Sequence, residues 1–344
     1  MPAKRSGARR SFLGVRERAG TVLRRRVAVA TWPDGSPLTL PIIVASGAPG
    51  PALYVQGGLH GDELVGVEAA RQIVGRVRPR EIRGTLVSVP IANPPAFMSR
   101  QRGWPFEARG PIDMNRVCPG DANGPLTARI ARAIFDGVLP SADYCLDFHG
   151  GMSGSSEAPF AQVVMLDDEH RTLAKRKLMA EAFGTELIYE MRPKERGRHV
   201  VFRGLEFSFA EQARLAGVPT LVVELGEGGR LRDDLVSLAV DGVLNVMRAV
   251  GMLTGDPRVP ETRFRFDRVS ILRPNRGGIL RLKKVPGDRV EEAERVGYVA
   301  DGLRVVEKLR APASGIVLRV ASAGVTEPGA DCLWVAHVKE RFRS

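Results

Sequence analysis

The chain has 344 residues, 44% hydrophobic and 26% charged, the balance of a soluble globular protein and not of a disordered one. No run approaches the roughly 18 apolar residues of a membrane span, and three cysteines argue against a disulfide framework and for a reducing, cytoplasmic setting. The formal charge of +12 is concentrated at one end: residues 1–26 hold nine Lys or Arg and one Glu. The basicity therefore belongs to an N-terminal extension, read as solvated over residues 1–24, and no specific nucleic-acid partner is expected. Within it Ala8–Gly14 (ARRSFLG) carries a twin-arginine core, but Arg16, Glu17 and Arg18 stand where an apolar segment would have to follow, so it is not read as an export signal.

Residues 25–32 and 36–46 alternate around Pro33-Asp34-Gly35 and read as a hairpin. An apolar run, Ala52–Gln56, is followed by Gly57-Gly58 and then by a helical pattern over 62–77, with Leu64, Val67, Ala70, Ile73 and Val74 on one face. Thr85–Pro90 reads as a buried strand. The stretch 93–125 is rich in Gly, Pro and Arg with little periodicity, and loops of that length are usually functional. Helix patterns over 126–139, 169–183, 207–216 and 231–250 alternate with strand patterns over 144–148, 162–166 and 220–225. That order predicts an α/β sheet covered by helices on both faces, over 25–258. From 259 to 344 the text changes to short strand-like runs and frequent turns, RPNRGG, VPGD, YVADG, APASG and EPGAD, which reads as a small all-β domain. Its pattern resembles biotinyl and lipoyl carrier half-barrels, but Lys308 lies too close to Pro312 for a carrier lysine, and it is read as unmodified.

Chemistry-bearing residues sit at the ends of the apolar runs. His60 and Glu63, in GGLHGDE, follow one strand, and His149, in DFHGG, follows another. Strand ends are where α/β folds place ligands, and two His with one Glu are a catalytic zinc set with a fourth position left open. Asp147 reads either as a support for a ligand or as a loop cap. Glu224 ends the apolar run Thr220–Leu225; as a general base or as a paired structural carboxylate it fits equally, with Glu227 the weaker candidate for the base. Asn115 and Arg116 offer an amide and a guanidinium fork that suit a carboxylate, and Arg109 is a further cation in the same loop. His170, His199 and His337 read as surface or distant residues, Cys145 as core, and Cys118 as a small packing residue near the site.

Taken in order, GGLHGDE, DMNRxxPG, DFHG and VELG resemble the succinylglutamate desuccinylase/aspartoacylase family of zinc carboxypeptidase-like deacylases, over roughly residues 38–255. The resemblance implies a zinc-carboxypeptidase-like mixed sheet flanked by helices, with a small C-terminal all-β domain of biotinyl/lipoyl-like type. It implies one zinc on His60, Glu63 and His149, Glu224 as catalytic acid/base, and Asn115 with Arg116 on the substrate carboxylate. An arginine would polarise the scissile carbonyl; Arg109 is the first choice, and Arg100 or Arg102 could substitute. The family usually carries Phe where this chain has Cys118, which bears on pocket shape and not on the metal. The expected activity is hydrolysis of a small N-acylated amino acid, with the Pro111-Ile112-Asp113 segment and the chain length favouring the N-acetyl-diaminobutyrate deacetylase-like branch. A carboxypeptidase on the same scaffold and a non-enzymatic metal-binding or carrier-like protein are the rivals. No membrane partner is expected, and a homo-oligomer is compatible with the sequence.

Overall fold

The computed structural model describes residues 9–108, 110–164, 170–191, 205–322 and 324–343. In chain order these form β1 (Ser11–Phe12), β2 (Val15–Arg16), β3 (Thr21–Thr31), β4 (Pro37–Ser46), β5 (Ala48–Gln56), α1 (Leu64–Gln72), β6 (Arg83–Val89), α2 (Pro94–Ser99), α3 (Leu126–Gly137), β7 (Tyr144–His149), β8 (Ser155–Val164), α4 (His170–Phe183), β9 (Leu187–Met191), α5 (Phe209–Leu215), β10 (Thr220–Glu227) and α6 (Asp233–Ala249). Strands alone follow: β11 (Thr262–Leu272), β12 (Gly278–Leu282), β13 (Arg289–Val290), β14 (Arg295–Ala300), β15 (Val305–Arg310), β16 (Gly315–Ala321), β17 (Val325–Thr326) and β18 (Leu333–Arg343). No helix among the described residues is long and apolar enough to cross a membrane.

The expected mixed α/β sheet is present. Twelve strands pair in the order β13-β16-β18-β11-β9-β8-β10-β7-β5-β6-β4-β3, and β15-β14-β12-β17 form a separate sheet of four. The centre, β6-β5-β7-β10, is parallel. Its strands are near-continuous apolar runs because both faces are covered. On one face Leu53, Val55, Leu146, Phe148, Leu221 and Val223 meet Ala69 of α1, Phe183 of α4 and Val243 of α6. On the other, Tyr54, Val87 and Cys145 meet Ile130 and Ile134 of α3 and Phe209 of α5. Successive residues of one strand thus serve opposite cores.

Two expectations about organisation are corrected. Of the basic extension expected over residues 1–24, residues 1–8 lie outside the described residues and the chain is fastened from Arg10 onward. Phe12 is fully buried in the second core, a burial worth roughly 1.5–3 kcal/mol. The Arg10 guanidinium donates to the Gly50 carbonyl and to Asp143, each at 2.8 Å, and Thr21–Arg26 already pair with β4. A short apolar pair, Phe12-Leu13, outweighs the surrounding charge, and that charge projects outward: Arg24, Arg25 and Arg26 are exposed on β3. The second correction concerns the boundary at 258/259. The chain beyond it does not form a detached module, since β11 pairs parallel with β9 and β16 pairs antiparallel with β8. Part of the C-terminal segment thereby continues the central sheet. Lys308 lies in mid-strand opposite Tyr298, not at a turn.

The loop over 93–125 contains an element the periodicity gave no sign of. Asn93 caps α2 through Oδ1, which accepts from the Ala96 N–H at 3.3 Å, and Pro94 fills the first helical position, where no N–H is needed. The loop is fastened at its far end as well. Glu107, buried, accepts from the Thr127 N–H and hydroxyl at 3.1 Å each, which places a carboxylate at the N-terminus of α3.

Candidate active site

The parallel strands β5, β7 and β10 end at the same edge of the sheet, and register sets what meets there. Gln56 lies beside Asp147 and Glu224 lies beside His149. Immediately after β5 the chain must turn sharply to bring His60 and Glu63 back over the strand ends. Gly58 makes the turn at φ +64°, and at Gly61 a Cβ would sit 1.9 Å from the Ala96 carbonyl oxygen, so no other residue fits there.

His60, Glu63 and His149 converge, with one ligand atom from each lying within 4.8 Å of the others. His60 Nδ1 is 2.7 Å from Glu63 Oε1, His149 Nδ1 is 2.9 Å from Glu63 Oε2, and the two Nδ1 atoms are 3.2 Å apart. The opposite nitrogen of each ring is committed elsewhere: His60 Nε2 lies 3.1 Å from Asp113 Oδ1, and His149 Nε2 lies 3.1 Å from Asp147 Oδ2. A carboxylate at Nε2 favours the proton there and leaves the Nδ1 lone pair facing the other donors. Asp147 is fixed in turn by Gln56 Nε2 at 2.8 Å, and Gln56 Oε1 accepts from the Tyr54 hydroxyl at 2.7 Å. The donor set of two imidazoles, each oriented from behind, and a carboxylate fits a tetrahedral zinc with one open position.

Electrostatics agree with that fit. Burial opposes ionisation of Glu63, but His60 and His149 outweigh it and hold the carboxyl well below its usual range. Burial likewise disfavours a charged His149, and Asp147 with Glu63 overcome it and raise the imidazole well above its ordinary value. The corner therefore sets ionised Glu63 against an imidazole, His149, that favours its charged form, a balance that suits a cation at this point.

The remaining motif residues line one cavity of 630 Å³ together with the three donors: Arg102, Asn115, Arg116 and Glu224. Asn115 Oδ1 accepts from the Phe209 N–H at 2.8 Å, which fixes the amide and turns its NH₂ to the other side. Arg116 donates to the Asn115 carbonyl at 2.7 Å and stands 3.8 Å from Asp113. Asp113 organises this loop, taking the Asn115 N–H at 2.8 Å and Arg102 Nε at 2.9 Å as well as His60. Burial pushes its carboxyl up, and His60, Arg102 and Arg116 bring it below the ordinary range. For Glu224 the balance runs the other way. Burial first, and the charge of Glu157 second, push its carboxyl well above the usual value.

Arg109 lies outside the described residues, as does His199. Of its alternatives, Arg102 reaches the donor cluster, with one guanidinium nitrogen 3.4 Å from His60 Nδ1 and 3.8 Å from Glu63. Arg100 instead ends α2 in a left-handed conformation and is absent from the cavity lining. Glu227 pairs with Arg230 at 3.4 Å, off the cavity. Cys118 is buried with its thiol on the Met114 carbonyl, and burial pushes that thiol up; it does not line the cavity. His337 sits on β18 between Arg268 and Ser270. Residues to which the sequence assigned no role are Asp113, Gln56, and a trio from the sheet beyond β10, Glu157, Arg319 and Trp334. Asp113 had a signal, standing two places before Asn115. Arg319 and Trp334 had none.

Residues 49–250 match the model of the succinylglutamate desuccinylase/aspartoacylase catalytic domain. The chain is 28% identical over 270 residues to an N-alpha-acetyl-L-2,4-diaminobutyric acid deacetylase of Halomonas elongata, which covers 77% of this chain and 75% of that protein. Among solved structures it resembles the product-bound ectoine utilization protein EutE (DoeB) of Ruegeria pomeroyi, with a TM-score of 0.81 and 24% identity over 93% of this chain and 96% of that one. A succinylglutamate desuccinylase/aspartoacylase of Rhodobacter sphaeroides is equally similar, with a TM-score of 0.81 and 24% identity over 94% and 97% of the two chains. Four motifs in order, the donor cluster formed by two of them and the family match over residues 49–250 lead to one conclusion: the chain belongs to the succinylglutamate desuccinylase/aspartoacylase family.

Proposed function

We propose that the protein is a zinc-dependent amidohydrolase that removes the acyl group from a small N-acyl amino acid, with an N-acetylated diamino acid as the first substrate to test. The observation that carries this reading is the convergence of His60, Glu63 and His149 beside Glu224, in one cavity with Arg116 and Asn115. The relative from Halomonas elongata supports the choice of acyl group and side chain.

In this reading one zinc per chain, held by His60, Glu63 and His149, would supply Lewis-acid polarisation of the carbonyl and lower the pKa of water. The chain's own groups do the rest. Arg116 forks onto the substrate carboxylate and Asn115 donates its NH₂ to the same group, which sets the distance from that carboxylate to the scissile amide. Arg102, or Arg109, donates to the carbonyl oxygen as negative charge develops on it. Glu224 takes a proton from the attacking water as its oxygen bonds to the acyl carbon. It then gives that proton to the amide nitrogen as the C–N bond breaks, so water is divided between acid and amine products. Its raised carboxyl suits both halves of that exchange. The cytoplasmic setting and the lack of nucleic-acid and membrane partners belong to the same proposal.

The test is a turnover screen of zinc-loaded protein across acetyl, succinyl and formyl amino acids, with a dipeptide set alongside. Release of a free amino acid from the acetyl series supports the reading. Preferential cleavage of dipeptides would make the protein a carboxypeptidase, and absence of turnover in both with zinc bound would sink the enzymatic reading.

A further inference from the structure

Three side chains from strands outside the four motifs meet near the base, and two of them, Arg319 and Trp334, line the cavity. β16 runs antiparallel to β8 with Arg319 directly opposite Glu157. The Arg319 guanidinium forms an ion pair with Glu157, whose side chain is 1% exposed. On its face the guanidinium stacks on Trp334 of β18, with Cζ 4.2 Å from the ring centroid. A carboxylate on one edge and an indole on one face leave a planar fork little freedom, which a flexible ammonium in the same place would keep. Arg319 and Trp334 line the same cavity as Glu224. Arg319 Nε is buried and has no hydrogen-bond partner among the described residues, so the group carries donor capacity beyond what Glu157 uses.

Register places the pair beside the base. On the other side of β8, Glu224 lies opposite Phe160 and Gly226 lies opposite Glu157, with a bulge between them. Glu157 and Glu224 are thus carried on neighbouring strands, and Arg319, ion-paired with Glu157, is a cation whose charge also favours the ionised form of Glu224 without an ion-pair contact to it. An ion pair that only fastened β16 to β8 would have no need of a second carboxylate, of a stacked indole, or of a place in the cavity wall.

We propose that Arg319 is a positioning residue for Glu224: clamped by Glu157 and Trp334 in the wall of the same cavity, its guanidinium keeps a fixed positive charge on the side from which it orients the Glu224 carboxylate for proton transfer. The C-terminal strands then complete the catalytic site instead of merely covering it. The inference rests on the reading of Glu224 as the base, and the two fail separately.

The test compares Arg319→Ala, Arg319→Lys, Trp334→Leu, Glu224→Gln and the double variant Glu224→Gln/Arg319→Ala, each for kcat, KM, zinc content and melting temperature on the best acyl amino acid. Arg319→Ala should lower kcat by roughly 10²-fold through misplacement of the base, with KM and zinc content little changed. Guanidinium ion at millimolar concentration should restore part of that loss. Because Arg319 acts through Glu224, the double variant should be no slower than Glu224→Gln alone. If Arg319→Ala does not fold, Arg319→Lys keeps the charge and loses the fork, and its kcat should fall while KM holds; Trp334→Leu should do the same to a smaller extent. Wild-type kcat in folded Arg319 variants, or a fully additive loss in the double variant, would overturn the proposal while Glu224→Gln stays inactive. Wild-type turnover in Glu224→Gln would instead overturn the base assignment.

Discussion

Glu63 and Glu224 are the same residue type, the first buried and the second half-buried, both at the C-terminal edge of the parallel strands, and both in one cavity. Their surroundings drive them in opposite directions. Glu63 stands between two imidazoles, 2.7 Å from His60 and 2.9 Å from His149, and is held ionised. Glu224 faces Glu157 and a desolvated strand end, and is pushed toward its acid form. Burial opposes ionisation of both, and the charges that share the pocket decide whether it is overcome. A carboxylate held permanently ionised suits a ligand, and one that can gain and lose a proton suits an acid/base.

The sharpest way to break this contrast is to remove a donor. His149→Ala should abolish stoichiometric zinc binding and reduce turnover to background, as metal analysis alongside kcat would show. Full zinc occupancy in the folded variant would take His149 out of the donor set. Next comes the other carboxylate. Glu224→Gln should keep its zinc and fold while kcat falls by roughly 10²-fold or more, with KM little changed. Should this variant lose its zinc, the two glutamates do not divide the labour as described. Arg116→Ala should raise KM by about tenfold, the cost of one charge-assisted grip, with a smaller effect on kcat. An unchanged KM would move the substrate carboxylate elsewhere. The smallest effect concerns pH. Because the Glu224 pKa is raised, the basic form is present only above that value, and kcat/KM should fall as pH drops through it. Glu157→Gln removes a neighbouring negative charge and should shift this acid limb downward by about one pH unit. A limb that stays where it was would mean that Glu157 does not act on the titrating group.

The legible part of the molecule is the part where local sequence carries the constraint. His60 and Glu63 stand three apart beside glycines that only a close backbone approach explains, and His149 and Glu224 end apolar strands at a place where a polar residue is costly. The elements between them follow from periodicity, and so 126–139 and 231–250 read as helices and are helices α3 and α6 with slightly shorter bounds. What was not legible depends on pairing at a distance. β9 (Leu187–Met191) is too short to show a pattern, yet it joins β8 to β11. Nothing in the text around Arg319 announces Glu157, because strand register over more than a hundred residues sets that contact. The extension failed for the opposite reason: its composition is loud, while the two residues that fasten it, buried Phe12 and Arg10 on Gly50 and Asp143, are quiet.

The exposed arginines of β3 acquire a different meaning from its place in the sheet. β3 is the last strand of the twelve, so along it the backbone has one row of N–H and C=O groups with no neighbour among the described strands. A row of that kind is a template on which another chain can nucleate. Three consecutive cations, Arg24, Arg25 and Arg26, stand along the middle of it. A second copy docking edge to edge would bring six positive charges together at strand spacing, where like charges repel strongly. Three of the charges that first suggest a nucleic-acid ligand would therefore oppose self-association along this edge, and salt, which screens that repulsion, would weaken the opposition.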